Sequence, residues 1–114
     1  MNRRLQALGR LKAGQMNNTE LAYRGELALR KQRGEVEEFW FEGITLRLAA
    51  DTRYTPDFLV LLPNGELELH EVKGFWTDDA WVKTKIAAER FPFRVVVVKK
   101  LTKTEGGGFS KEVL

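Results

Sequence analysis

The chain has 114 residues, 43% apolar and 31% charged, the composition of one globular domain able to bury roughly two-thirds of its unfolded surface. The absence of cysteine excludes disulfides and thiolate metal sites, and a single histidine leaves Ser/His catalysis and a His-rich zinc site without their parts. The net charge is only +3, but residues 1–34 carry eight Lys/Arg against two acids, residues 35–71 two against nine, and residues 72–114 nine against five. Two basic ends around an acidic middle suit a polyanion, although such runs are also ordinary solvated surface.

Residues 1–16 form a basic arm with Leu5, Leu8 and Leu11 at helical spacing, either a loosely packed helix or a DNA-contacting or dimer-forming segment. No apolar run suits a signal peptide or a membrane span, so the expectation is a cytoplasmic protein without a membrane partner. Asn17-Asn18-Thr19 offers N-caps for a helix of about 15 residues ending near Gly34, with Glu20, Tyr23, Leu27 and Lys31 along one face. Glu20 in the first turn suits the helix dipole.

Val36–Glu42 and Thr45–Ala49 read as strands joined around Gly43, and Asp51–Thr55 as a connection. In that connection Arg53 and Tyr54 either sit beside a phosphate or shape a turn. Beyond the central hairpin, Gly74-Phe75-Trp76 breaks the strand, and Thr77 or Asp78 caps a helix running to about Phe91. Lys83 and Lys85 lie outside its apolar stripe, as solvated lysines or as phosphate contacts. Phe93–Val98 is a strand apolar on both faces. Residues 101–114, with Gly106-Gly107-Gly108, read as a flexible tail.

The chemistry concentrates in Tyr54–Phe75. Val60-Leu61-Leu62 is an apolar strand, Pro63-Asn64-Gly65 a turn, and the following run alternates, with Glu66, Glu68 and His70 on one face and Leu67, Leu69, Glu71 and Lys73 on the other. Asp57 shares a face with Glu71 only if the loop has odd length. A three-residue loop, with Pro63 and Asn64 in a type I turn and Gly65 left-handed, sets Asp57 opposite Glu71. Asp57 and Glu71 then offer hard oxygen ligands to Mg2+, the Val72 backbone carbonyl adds another, and Lys73 can activate a water or neutralise charge on a phosphate. The plainer alternative is a Glu71–Lys73 salt bridge at a sheet edge with Asp57 capping a turn.

Pro56-Asp57 followed by Glu71-Val72-Lys73 resembles the PD-(D/E)XK nuclease superfamily, and the run Glu71 to Trp76 is especially similar to its small phage-type endonucleases and junction resolvases. The likeness spans roughly Asn17 to Lys99. It implies a restriction-endonuclease-like α/β core over residues 17–100, in the order αββββαβ, with a mixed central sheet flanked by helices. It also implies an acid from the first helix in the metal site. Asn18-Thr19-Glu20 resembles that position, and Glu26 is the weaker candidate.

The expected function is a Mg2+-dependent DNA endonuclease (Mn2+ can substitute), of a bacterial or phage-infected cell, acting on branched or structured duplex and compatible with a homodimer. Glu20, Asp57, Glu71 and Lys73 are its catalytic candidates, and Arg3, Arg4, Arg53, Lys83 and Lys85 its nucleic-acid contacts. The alternatives are a non-catalytic nucleic-acid-binding or assembly subunit with a nuclease fold, and an RNA-directed nuclease.

Overall fold

The computed structural model describes residues 14–73 and 78–114. Arg3, Arg4, nearly all of the basic arm, and the Gly74–Thr77 segment with its Thr77 cap lie outside the described residues. Among the described residues, two helices and seven strands follow in the order α1 (Asn18–Gln32), β1 (Glu38–Phe41), β2 (Leu46–Ala49), β3 (Thr52–Tyr54), β4 (Phe58–Leu61), β5 (Leu67–Lys73), α2 (Asp78–Arg90), β6 (Arg94–Lys100) and β7 (Phe109–Val113).

Helix α1 starts where a capping box satisfies its free amides: the Glu20 N–H donates to Asn17 Oδ1 (2.8 Å) and the Asn17 N–H to Glu20 Oε1 (3.0 Å). Gly34, at φ +78°, follows its last turn. The buried stripe is Glu20, Tyr23 and Leu27. Tyr23 and Leu27 pack with Phe58, Val60, Val72, Val96 and Val98 on one face of a five-stranded sheet, each such side chain contributing about 1.5–3 kcal/mol by leaving water.

That sheet runs β1-β4-β5-β6-β7. Only β5 and β6 are parallel, because α2 carries the chain back between them; the other pairs are antiparallel. The opposite face is covered by α2 and a separate β2–β3 hairpin, with Leu46, Leu48, Tyr54, Leu69, Ala87 and Val95 forming a second core. Val95 serves one core and Val96 and Val98 the other, which explains why this strand is apolar throughout. The architecture is a mixed α/β sandwich, and among the described residues no helix is long and apolar enough to cross a membrane.

Two expectations are corrected. Thr52–Tyr54 is a strand paired with β2 rather than a plain connection, with Asp51 at φ +58° beside the turn; three residues are too few to show a period in sequence. Residues 101–114 do not form a loose tail. The three glycines take φ of +105°, +69° and +69°, the Leu101 N–H donates to the Gly108 carbonyl (2.9 Å), and Phe109–Val113 pairs along β6. The order is therefore αβββββαββ, with a linker-like composition serving as a hairpin turn.

A buried polar chain ties α1 to β5. Tyr23 Oη lies 2.6 Å from His70 Nδ1, His70 Nε2 lies 2.9 Å from Glu68 Oε1, and Arg94 donates to Glu68 Oε2 at 3.1 Å. A carboxylate only accepts, so Nε2 carries the proton and Nδ1 accepts from the Tyr23 hydroxyl. Burial lowers the His70 pKa, partly opposed by Glu68, whose own pKa is lowered chiefly by the hydrogen bond from His70.

Two glycines test this packing in opposite directions. A Cβ on Gly43 would stand 2.7 Å from the Trp40 Cβ, so Gly43→Ala is expected to lose about 1–3 kcal/mol in chemical denaturation. A Cβ on Gly25, inside α1, meets nothing within 4 Å, so Gly25→Ala should gain about 0.5–1 kcal/mol.

Candidate active site

The site begins with the β4–β5 turn. Pro63 and Asn64 occupy its centre, the Gly65 N–H donates to the Leu62 carbonyl (2.9 Å), and Gly65 takes φ +91°. The Leu62 N–H closes the loop on the Glu66 carbonyl at 2.8 Å, and Asn64 Oδ1 accepts from the Glu66 N–H at 2.9 Å. The resulting register pairs Leu61 with Leu67 and Phe58 with His70. One step further along sets Asp57 across from Glu71. The odd-length loop anticipated from the sequence is the one formed.

Asp57 follows the fully buried Pro56 and is itself only 5% exposed. Its Oδ2 accepts from the Val72 N–H at 2.8 Å, and its carboxyl makes hydrogen-bonding contacts with both Glu71 and Glu20. Burial, and then the Glu71 charge, push the Asp57 pKa well above the usual carboxylate range; the Glu20 contact and the Val72 N–H pull the other way. Glu20, 5% exposed, comes from the first turn of α1, so the side chain that closes the capping box also meets Asp57.

Glu71 is half-buried, and its Oε1 accepts from the Tyr54 hydroxyl at 2.5 Å. Tyr54 is 6% exposed, and burial followed by the Glu71 charge drives its pKa far up, so it is a fixed donor at neutral pH. Thr84, buried on α2, makes a hydrogen-bonding contact with the same hydroxyl. Tyr54 is therefore no mere turn residue. The available signal was an aromatic hydroxyl three residues before Asp57, since a buried tyrosine normally finds a partner for its O–H. Thr84 gave no such signal.

Lys73 ends β5, exposed, on the Glu71 face by alternation, and pairs across the parallel ladder with Lys99. Val72 turns its side chain into the core while its backbone holds Asp57. The remaining described candidates stand on β3, α2 and α1. Arg53 is exposed on β3. Lys83 is half-buried and ion-paired with Asp79 at 3.5 Å, and Lys85 lies 5.7 Å over the Trp81 ring. Glu26 pairs with Lys111 at 3.4 Å.

Three carboxylates of Glu20, Asp57 and Glu71 thus meet at one end of the sheet. Their donor chemistry suits a hard divalent cation, which would relieve the repulsion that raises the Asp57 pKa. They are held by one another, by Tyr54 and by backbone amides. Among the described residues, no group of three or more His, Asp or Glu side chains is already disposed around a metal position. No protein-family model, curated protein or solved structure matches this chain.

Two measurements follow from the raised Asp57 pKa. A neutral Asp57 favours folding, so this contribution is complete below the unfolded pKa and is lost as pH rises through the folded value. Asp57→Asn, which can still accept from Val72 and donate to Glu71, should melt above wild type at pH 7 in chelator. The difference should shrink towards pH 4; a gain of about 1 kcal/mol corresponds to roughly 4–8 °C. Millimolar Mg2+ should raise the wild-type Tm by mass action, by about 2.7 kcal/mol at 100 times Kd, and Asp57→Asn should blunt that response.

Proposed function

We propose that this protein is a metal-dependent phosphodiesterase acting on DNA, in the manner of the PD-(D/E)XK nucleases that its Pro56-Asp57 and Glu71-Val72-Lys73 motifs resemble. The observation that carries the reading is the register: it brings the buried Asp57 against Glu71, with Glu20 in contact and Lys73 on the same strand face. A hairpin built only for stability gains nothing from mutually repelling carboxylates on the face that carries Leu67 and Leu69. A mixed sheet between two helices, with a parallel pair directly after the Glu-Val-Lys strand, supports the reading.

Asp57, Glu71 and the Val72 carbonyl would hold Mg2+, with Glu20 completing the shell. When bound, such an ion would supply positive charge at the phosphate and would lower the pKa of the attacking water. Tyr54 orients Glu71 through its hydroxyl, and the Val72 N–H fixes Asp57, so neither carboxylate has to be ordered during the reaction. Lys73, at the rim, faces the scissile phosphate and offsets charge that grows as the water adds and the P–O bond breaks. Lys73 and Lys99 are adjacent like charges, an arrangement that a bound polyanion favours. Branched or structured duplex is the substrate the resemblance favours, and a homodimer the assembly.

One observation favours a second reading, a non-catalytic nucleic-acid-binding or assembly subunit with this fold. The carboxylates are engaged with one another rather than set around a common centre.

Incubation with linear duplex, four-way junction, single-stranded DNA and duplex RNA, with Mg2+, Mn2+ or chelator, separates the readings. Metal-dependent DNA cleavage is expected, and it should be lost in Asp57→Ala, Glu71→Ala and Lys73→Ala. Lys73→Ala should cost about 10²–10³ in rate, or about 2.7–4 kcal/mol in the barrier, while DNA binding is nearly kept. Tight binding without cleavage of any substrate points to the subunit reading. Cleavage confined to RNA makes the protein a ribonuclease. Wild-type rates in Glu71→Ala rule out this site.

A further inference from the structure

The β2–β3 hairpin carries a feature that the carboxylate site does not use. Its register pairs Arg47 directly with Arg53. Both side chains are exposed, and neither has a hydrogen-bonding or ion-pair partner among the described residues. Opposed like charges on a two-stranded ribbon are unfavourable, and such ribbons have little stability to spare. Each strand alternates in the same sense: Leu46, Leu48 and Tyr54 enter the core, which leaves both arginines on the outer surface.

The hairpin is nevertheless firmly placed. Arg90 of α2 donates to the Leu48 carbonyl at 2.8 Å, the Thr45 and Thr55 hydroxyls meet at 2.7 Å, and Tyr54 donates to Glu71. The residue after Arg53 thus touches the carboxylate cluster. A ribbon fastened at that point, with two exposed arginines directly opposite one another, matches an anion with several acceptor oxygens.

We propose that Arg47 and Arg53 form a clamp for the sugar-phosphate backbone of nucleic acid, holding a substrate strand outside the carboxylate site. The clamp rests on the nucleic-acid reading above, but it needs no cleavage. Phosphate oxygens between the guanidinium groups turn their repulsion into shared attraction. The protein alone bears the strain, and the complex releases it. A solvated surface pair with no ligand has no such reciprocal behaviour.

The test combines affinity with stability on the full chain. Fluorescence anisotropy with labelled duplex DNA in chelator is measured from low to moderate salt for wild type, for the double variant Arg47→Gln/Arg53→Gln, for the charge-preserving Arg47→Lys/Arg53→Lys, and for Lys103→Gln as a remote control. Neutralising two phosphate contacts should make the slope of log affinity against log salt shallower by about 1.8. The lysine variant should retain most of the slope with weaker binding, because it keeps the charge and loses the fork. Without DNA at low salt, the Gln variant should melt higher than wild type. Inorganic phosphate at the same ionic strength should reproduce little of the binding if a strand, rather than a free anion, is the ligand.

Absence of duplex binding by wild type would overturn the clamp. So would a Gln variant whose slope changes no more than that of Lys103→Gln, or one with an unchanged or lower Tm. A phosphate response equal to that of DNA would overturn it as well, in favour of a small-anion site. Loss of binding in the Gln variant, with no cleavage by wild type in Mg2+ or Mn2+, would uphold the clamp and refute the hydrolase.

Discussion

The carboxylate cluster of this protein depends on the length of one loop. Because side chains alternate along a strand, a shift of one residue between β4 and β5 would turn Asp57 to the opposite side of the sheet from Glu71. Gly65 prevents that shift. Its left-handed backbone, with Pro63 and Asn64 before it, closes an odd-length loop that fixes every pair from Leu61–Leu67 to Phe58–His70. The carboxylates lie at the far end of the hairpin from this turn, so a local backbone preference decides contacts several residues away.

The same register sorts the two faces of β5 into different roles. One face carries Glu68, His70 and Val72 towards α1, where each polar group has its partner in the Tyr23–His70–Glu68–Arg94 chain. The other carries Leu69 into the second core and then ends in Glu71 and Lys73. Burial is thus used in two ways on adjacent residues. Around His70 it is matched by satisfied hydrogen bonds, whereas around Asp57 it holds acids together against their mutual repulsion.

The sequence is most informative where backbone chemistry is local. Asn17 and Glu20 announce the start of α1, Pro63-Asn64-Gly65 the turn, and the valine run of β6 a strand covered on both sides. It is least informative where function or pairing is set by distant partners. Tyr54 gains its role from Glu71, 17 positions away, and Thr84 from an α2 that packs against the hairpin. Strand β7 was hidden because its glycines have linker composition, and Phe109–Val113 has only Phe109 to show a buried face. That ring meets Tyr23 at 5.2 Å, a contact that no local pattern encodes.

Glu20 answers to two masters. Its carboxylate closes the first turn of α1 and also reaches Asp57, so the acid–base state of the cluster and the integrity of that turn are linked through one side chain. A glutamine could keep the reciprocal cap, since the amide oxygen accepts from the Asn17 N–H as well, but it would remove the charge. An aspartate would keep the charge on a shorter arm, away from both partners. Few side chains meet both demands, so substitution at this position is narrowly constrained even before any ligand is considered. The start of α1 and the acid cluster are thus joined through a single carboxylate.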